Sequence, residues 1–190
     1  MRWAVAQGYR EDNPAGAAIS AALPRNGVRP RHHPALPYAE VSAAIQTVRT
    51  SGAYPATALA FEFLVLTACR NGEVRGALWK EIDLAGREWR IPAERMKANR
   101  EHRVALSGRA LAVLQEARAL ADGSGVVFPS ARGGPLNEVA IAKLVRELGI
   151  GAVPHGFRSS FRDWIAPDGT PRPACAGPRR AIQSALSNTA

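Results

Sequence analysis

Leu59-Ala60-Phe61-Glu62-Phe63-Leu64-Val65-Leu66-Thr67-Ala68-Cys69-Arg70-Asn71-Gly72-Glu73-Val74-Arg75-Gly76-Ala77-Leu78-Trp79 is an apolar run that ends abruptly in charge. Leu59, Ala60, Phe61, Phe63, Leu64, Val65 and Leu66 leave almost no polar face, so a helix over 56–69, opened by Pro55, belongs in the interior. Gly72 permits a break, and 73–78 reads as a short helix leading to Trp79. Arg70 closes the apolar run, where an unpaired charge is costly. Its guanidinium either pairs with Glu73, three residues on, or projects into a cleft toward an anion. The local pattern leaves both readings open.

Working toward the N-terminus, Val41, Ala44, Ile45 and Val48 recur at three- and four-residue spacings after Pro37, which predicts an amphipathic helix starting near Tyr38. Residues 24–37 are rich in proline and arginine and contain the pair His32-His33, so they read as an extended linker. With no acidic or cysteine companion, the histidine pair reads as solvated. Residues 1–23 hold a short helical piece that resembles the end of a preceding domain.

Toward the C-terminus the period changes. Residues 82–84, 88–91 and 102–106 alternate apolar and polar side chains and predict a small three-stranded antiparallel sheet. Ser107 is placed to cap a helix over 109–120, residues 126–128 read as extended, and 135–148 reads as an amphipathic helix. Pro154 precedes a last helix over 155–165. Beyond it, 166–190 is proline-rich with few large apolar residues and reads as a divergent, disordered tail. The fold class expected is α+β, mainly helical with a three-stranded insertion over 38–165.

Composition narrows the function. At 190 residues the chain is long enough for one ordinary domain with a substantial core. No stretch approaches the roughly 20 uninterrupted apolar residues of a bilayer span. The start, Met1-Arg2-Trp3, lacks the features of a secretory signal, so we read the chain as cytoplasmic and without a membrane partner. Cys69 and Cys175 are too few and too far apart for a disulfide framework, and the histidines show no metal-ligand spacing with them. The 25 basic residues exceed the 16 acidic ones by nine, and 22 of the 25 are arginine. Arginine presents a planar fork of donors matched to phosphate oxygens, which favours a polyanionic partner. An arginine-rich coding bias would give the same balance, so position has to decide.

Two positions bear on it. His155 and Arg158 lie three apart on one face near a helix N-terminus, where anions bind readily, and one phosphate could meet both of them and Arg70. A lone His-x-x-Arg also arises as a capping or surface pair. Lys97 sits in Lys97-Ala98-Asn99-Arg100-Glu101-His102-Arg103, a charged turn between strands. Such a turn is ordinarily solvated, yet an ammonium there can reach a groove and donate a proton to a departing alkoxide.

The segment 66–79 followed by Glu81-Ile82-Asp83 resembles the first arginine box of tyrosine recombinases, in particular phage-type integrases. Ile91-Pro92-Ala93-Glu94-Arg95-Met96-Lys97, the strand beginning His102-Arg103-Val104, and His155-Gly156-Phe157-Arg158-Ser159-Ser160-Phe161-Arg162-Asp163-Trp164 are similar to the same subgroup. The likeness covers about 38–165, with 2–23 similar to the last helix of a core-binding domain. It implies site-specific DNA recombination by metal-independent transesterification, without a cofactor, on double-stranded attachment-site DNA and together with further recombinase protomers. It also implies roles by position: Arg70 and Arg158 on the non-bridging phosphate oxygens, Lys97 protonating the leaving 5′ oxygen, His155 hydrogen-bonding the phosphate or assisting proton transfer, and Glu73 supporting the arginine box.

One departure carries weight. The family's nucleophile is a tyrosine some tens of residues after the His-x-x-Arg box, whereas Tyr9, Tyr38 and Tyr54 are the tyrosines here and all precede Arg70. The expectations are therefore an integrase-type catalytic domain, truncated and defective in cleavage by itself, or a non-cleaving DNA-binding remnant or subunit. A basic fragment without function is the third.

Overall fold

A computed structural model describes residues 2–11, 13, 22, 33–96 and 98–165. The chain divides into two compact units, Met1–His32 and His33–Ala190. In the first, helix α1 (Arg2–Ala6) ends in a turn at Gly8, whose φ of 74° suits a residue without a Cβ, and the rings of Trp3 and Tyr9 stack 5.7 Å apart. The tail over 166–190, with its expected disorder, lies outside the described residues.

The second unit opens with an extended segment and a 3-10 turn, Tyr38–Glu40, that runs into α2 (Val41–Thr50). The spacing that predicts α2 is the face it buries: Val41, Ala44, Ile45 and Val48. Helix α3 (Pro55–Thr67) follows, with Pro55 at its first turn, and it is the centre of the core. Phe61, Phe63 and Leu64 are fully buried, and each such side chain contributes about 1.5–3 kcal/mol by leaving water. Glu62 is its buried exception. Its carboxylate accepts from Arg49 Nε of α2 at 2.5 Å and Arg109 Nε at 2.6 Å, and both arginines also pair with Glu116.

Helix α3 stops at Thr67, before the expected end at 69, because Ala68 turns into the left-handed conformation with φ 50°. The short helix α4 (Asn71–Arg75) therefore begins earlier than 73–78 suggested. A 3-10 turn (Trp79–Glu81) leads to the sheet of β1 (Ile82–Asp83), β2 (Glu88–Ile91) and β3 (His102–Ala105), in the order β1-β2-β3 and antiparallel throughout. Trp89 pairs with Val104 and Ile91 with His102. Trp89 and Ile91 point inward, and Trp89 meets Phe63 of α3 at 5.3 Å between ring centroids.

Between β2 and β3 lies a 3-10 turn, Ala93–Arg95. Ser107 Oγ accepts from Ala110 N–H and caps α5 (Gly108–Arg118), as its position predicts. Residues 126–129 do not add a strand to the sheet. Val126 instead bridges Leu78, and Pro129 bridges Pro135. Helix α6 (Ala140–Glu147) starts five residues later than expected, since Asn137 Oδ1 takes the Val139 N–H in a turn of its own. Helix α7 (Phe157–Trp164) completes the described chain. The architecture is α+β, with the middle of α3 packed against the start of α7 through Phe61 and Phe157, whose rings meet edge-on at 5.2 Å.

Candidate phosphate site

Arg70 ends up where it does because two turns meet there. The left-handed Ala68 reverses the chain at the end of α3, and Arg70 becomes the residue that caps α4. Glu73 then reaches back: its carboxylate accepts the Arg70 backbone N–H at 2.7 Å and Arg70 Nη1 at 2.6 Å. The backbone half of that arrangement is the reciprocal bond of a capping box. Glu73 is buried, while the Arg70 side chain is 45 % exposed. Of the two readings left open by the sequence, the pair with Glu73 is the one the structure shows. Glu73 fixes one edge of the guanidinium, and the side chain keeps partial access to solvent.

His155 and Arg158 stand at the start of α7, with Phe157 between them anchored in the core. The Arg158 N–H bonds the His155 carbonyl at 3.2 Å, which sets the turn that presents both side chains. Arg158 is half-buried and His155 exposed. The His155 imidazole is held below its ordinary range by partial desolvation first, then by the like charges of His33, Arg158 and Arg70. Burial pushes the Cys69 thiol up to about 11, and the same two guanidinium groups act on it in the opposite direction. Arg70 and Arg158 thus both lie within electrostatic reach of His155 and of Cys69.

Lys97 lies outside the described residues, but the turn before it is anchored. Arg95 Nη1 donates to both carboxylate oxygens of the buried Glu81, and Arg95 Nη2 donates to the Glu73 carbonyl at 2.7 Å. Glu81 also accepts from the indole N–H of the fully buried Trp89 at 3.1 Å. Arg95 thus ties the turn before Lys97 to the residue that holds Arg70. This link was not legible in the sequence, where Arg95 reads as one more charge in a basic stretch. Gly76 leaves room for it, since a Cβ there would lie 2.9 Å from Arg95 Nη2.

The histidine pair of the linker is a second difference. His32 lies outside the described residues, but His33 is not merely solvated: its ring meets that of His155 at 4.7 Å, edge to face. The signal for it was Gly156, a glycine at the start of a helix, which marks a close backbone approach. Among the described residues no group of three or more His, Cys, Asp or Glu could hold a metal ion. The two guanidinium groups and the imidazole, in a protein of formal charge +9, offer donors of the kind that pair with anionic oxygens.

Residues 35–176 match the phage integrase family. The chain belongs to that family. Prophage integrase IntA of Escherichia coli (strain K12) is 37% identical over 131 residues, covering 67% of this chain and 32% of that integrase. The integrase of Enterobacteria phage P4 is 28% identical over 187 residues, covering 89% of this chain and 42% of its own length. The chain thus spans about a third to two fifths of these relatives. Among solved structures, a lambda integrase dimer bound to a COC′ core site superposes with a TM-score of 0.61 at 19% identity, covering 84% of this chain and 57% of that one. The Tn1549 transposon integrase in complex with transposon right end DNA gives a TM-score of 0.64 at 16% identity, covering 98% and 67%. These distant likenesses establish the fold, that of a tyrosine-recombinase catalytic domain. No helix among the described residues of this integrase-family chain is long and apolar enough to cross a membrane.

Proposed function

We propose that this integrase-family chain engages a DNA phosphodiester for site-specific strand cleavage and rejoining, with residues 38–165 as the catalytic domain. What supports the proposal is that Arg70 and Arg158 both act electrostatically on His155 and on Cys69, with Arg70 held by the buried Glu73. Arg70 and Arg158 neutralise the non-bridging oxygens, where preorganised donors gain most as charge develops in the transition state. His155, held neutral, hydrogen-bonds the phosphate. Lys97 protonates the 5′ oxygen as the phosphorus–oxygen bond breaks. Glu73 positions Arg70 and does not touch the substrate. Partners of the same kind as those in the DNA-bound lambda and Tn1549 integrase structures, duplex DNA and further protomers, follow from this reading.

The tyrosines of this sequence, Tyr9, Tyr38 and Tyr54, all precede Arg70, and none of them is assigned as the attacking group. In a second reading these residues occupy DNA without cleaving it. The test of the shared premise is a gel-shift series against salt on duplex DNA. With the site intact, log affinity should fall with log salt, and the double substitution Arg70→Ala plus Arg158→Ala should weaken binding and flatten the slope by about 1 to 2. Binding indifferent to both changes refutes phosphate engagement at this site. Covalent trapping on nicked duplexes separates the two readings: trapped product supports cleavage, and its absence alongside intact binding supports the non-cleaving reading.

A further inference from the structure

The extended segment 33–36 crosses the start of α7 by a set of specific contacts. The Pro34 carbonyl accepts the Val153 N–H at 3.1 Å, and the Leu36 carbonyl accepts the Ser160 hydroxyl at 2.6 Å. Ser160 is itself buried. Between these two bonds lies Gly156, where an added Cβ would fall 1.8 Å from the Pro34 carbonyl oxygen and 2.8 Å from its carbon. Backbone cannot yield by that amount, so only glycine admits the crossing. The segment is therefore seated on the His155-Gly156-Phe157-Arg158 turn, and it delivers His33 against the His155 ring at 4.7 Å.

We propose that His33 is a positioning residue for His155, and that the segment 33–36 fixes the imidazole beside Arg158 in the orientation a phosphate requires. The inference rests on the phosphate-site reading above. An exposed imidazole at a helix start otherwise samples several rotamers, and ordering it on binding would cost free energy. His33 removes that freedom in advance by occupying one side of the ring. The charged groups that face His155 are His33 from the linker segment, Arg158 from α7 and Arg70 from the α3–α4 junction, and each opposes a second positive charge. With the ring held neutral between them, one nitrogen keeps a proton to donate and the other a lone pair to accept.

The test uses the full chain without DNA, so that it reads the ring contact separately from phosphate binding. Histidine side-chain NMR, assigned by single His→Gln substitutions, follows the His155 ring through a pH titration. The expected result is a nuclear Overhauser contact between the His33 and His155 rings and a His155 midpoint below that of a free imidazole. His33→Ala removes a mostly exposed side chain and should move that midpoint up. Gly156→Ala keeps both imidazoles but displaces Pro34, and it should also move the midpoint up and abolish the inter-ring contact. If Gly156→Ala fails to fold, His33→Ala and His33→Phe carry the test, the phenyl ring retaining part of the depression through packing alone. Absence of the inter-ring contact in the unsubstituted chain, or a His155 midpoint unmoved by His33→Ala, overturns the proposal. Failure of the phosphate reading would instead appear as DNA binding indifferent to Arg70 and Arg158 while the ring contact persists.

Discussion

Replacing Glu81 by alanine tests the link between the sheet and the arginine box. The Glu81 side chain is 4% exposed and accepts from Arg95, from the Trp89 indole at 3.1 Å and from the Leu78 N–H at 3.3 Å. Its removal leaves the indole N–H of a fully buried tryptophan without an acceptor, which costs about 1–3 kcal/mol. It also strips the partner from Arg95, whose side chain is 23% exposed. Losing one member of a buried ion pair costs about 3–5 kcal/mol, and this partial exposure places that part at the lower end, about 3 kcal/mol, so that with the indole the loss is about 4 kcal/mol. With a urea slope of roughly 2 kcal/mol per molar, the unfolding midpoint should fall by about 2 M. The control is Arg103→Ala, which removes an exposed pair with Glu101 and should stay within about 0.5 kcal/mol. A Glu81→Ala midpoint no lower than that of Arg103→Ala would refute the account of Glu81 as the buried anchor of Arg95.

Other consequences follow from single residues. Cys69 is buried, with its thiol pushed up to about 11, so at neutral pH it should resist iodoacetamide in the folded chain and react on unfolding; peptide mass spectrometry separates it from Cys175, and ready labelling of native Cys69 would contradict its placement. Ala68 holds a left-handed conformation at a cost of roughly 1 kcal/mol, against which glycine loses more chain entropy, so Ala68→Gly should be neutral to stabilising by up to about 1 kcal/mol in a thermal melt. A clear loss of stability would mean that the turn before Arg70 has another geometry.

Much of this fold is legible because its core elements obey simple periods. Val41, Ala44, Ile45 and Val48 define α2, and the alternation around Trp89 and Ile91 defines β2. The arginine box and the His-x-x-Arg turn were readable as local motifs, and Phe157 packs on Phe61 of the helix that precedes the box. What was not readable depends on partners distant in sequence. Glu62 looks like a lone acid on an apolar helix until Arg49 and Arg109 arrive from α2 and α5. Arg95 needs Glu81 and the Glu73 carbonyl, and His33 needs a turn more than a hundred residues later. Helix ends shifted where a side chain or a left-handed residue competed with the helix, at Asn137 and Ala68.

The claim on which the rest depends is that Arg70, His155 and Arg158 receive one tetrahedral oxyanion. Orthovanadate, which mimics a phosphoryl-transfer transition state, can be titrated into the full chain while the arginine Nε–Hε and histidine ring resonances are followed by NMR. The account predicts that Arg70, His155 and Arg158 shift together with a single midpoint while the exposed Arg103 stays still. Separate midpoints, or an Arg103 shift equal to theirs, would contradict it.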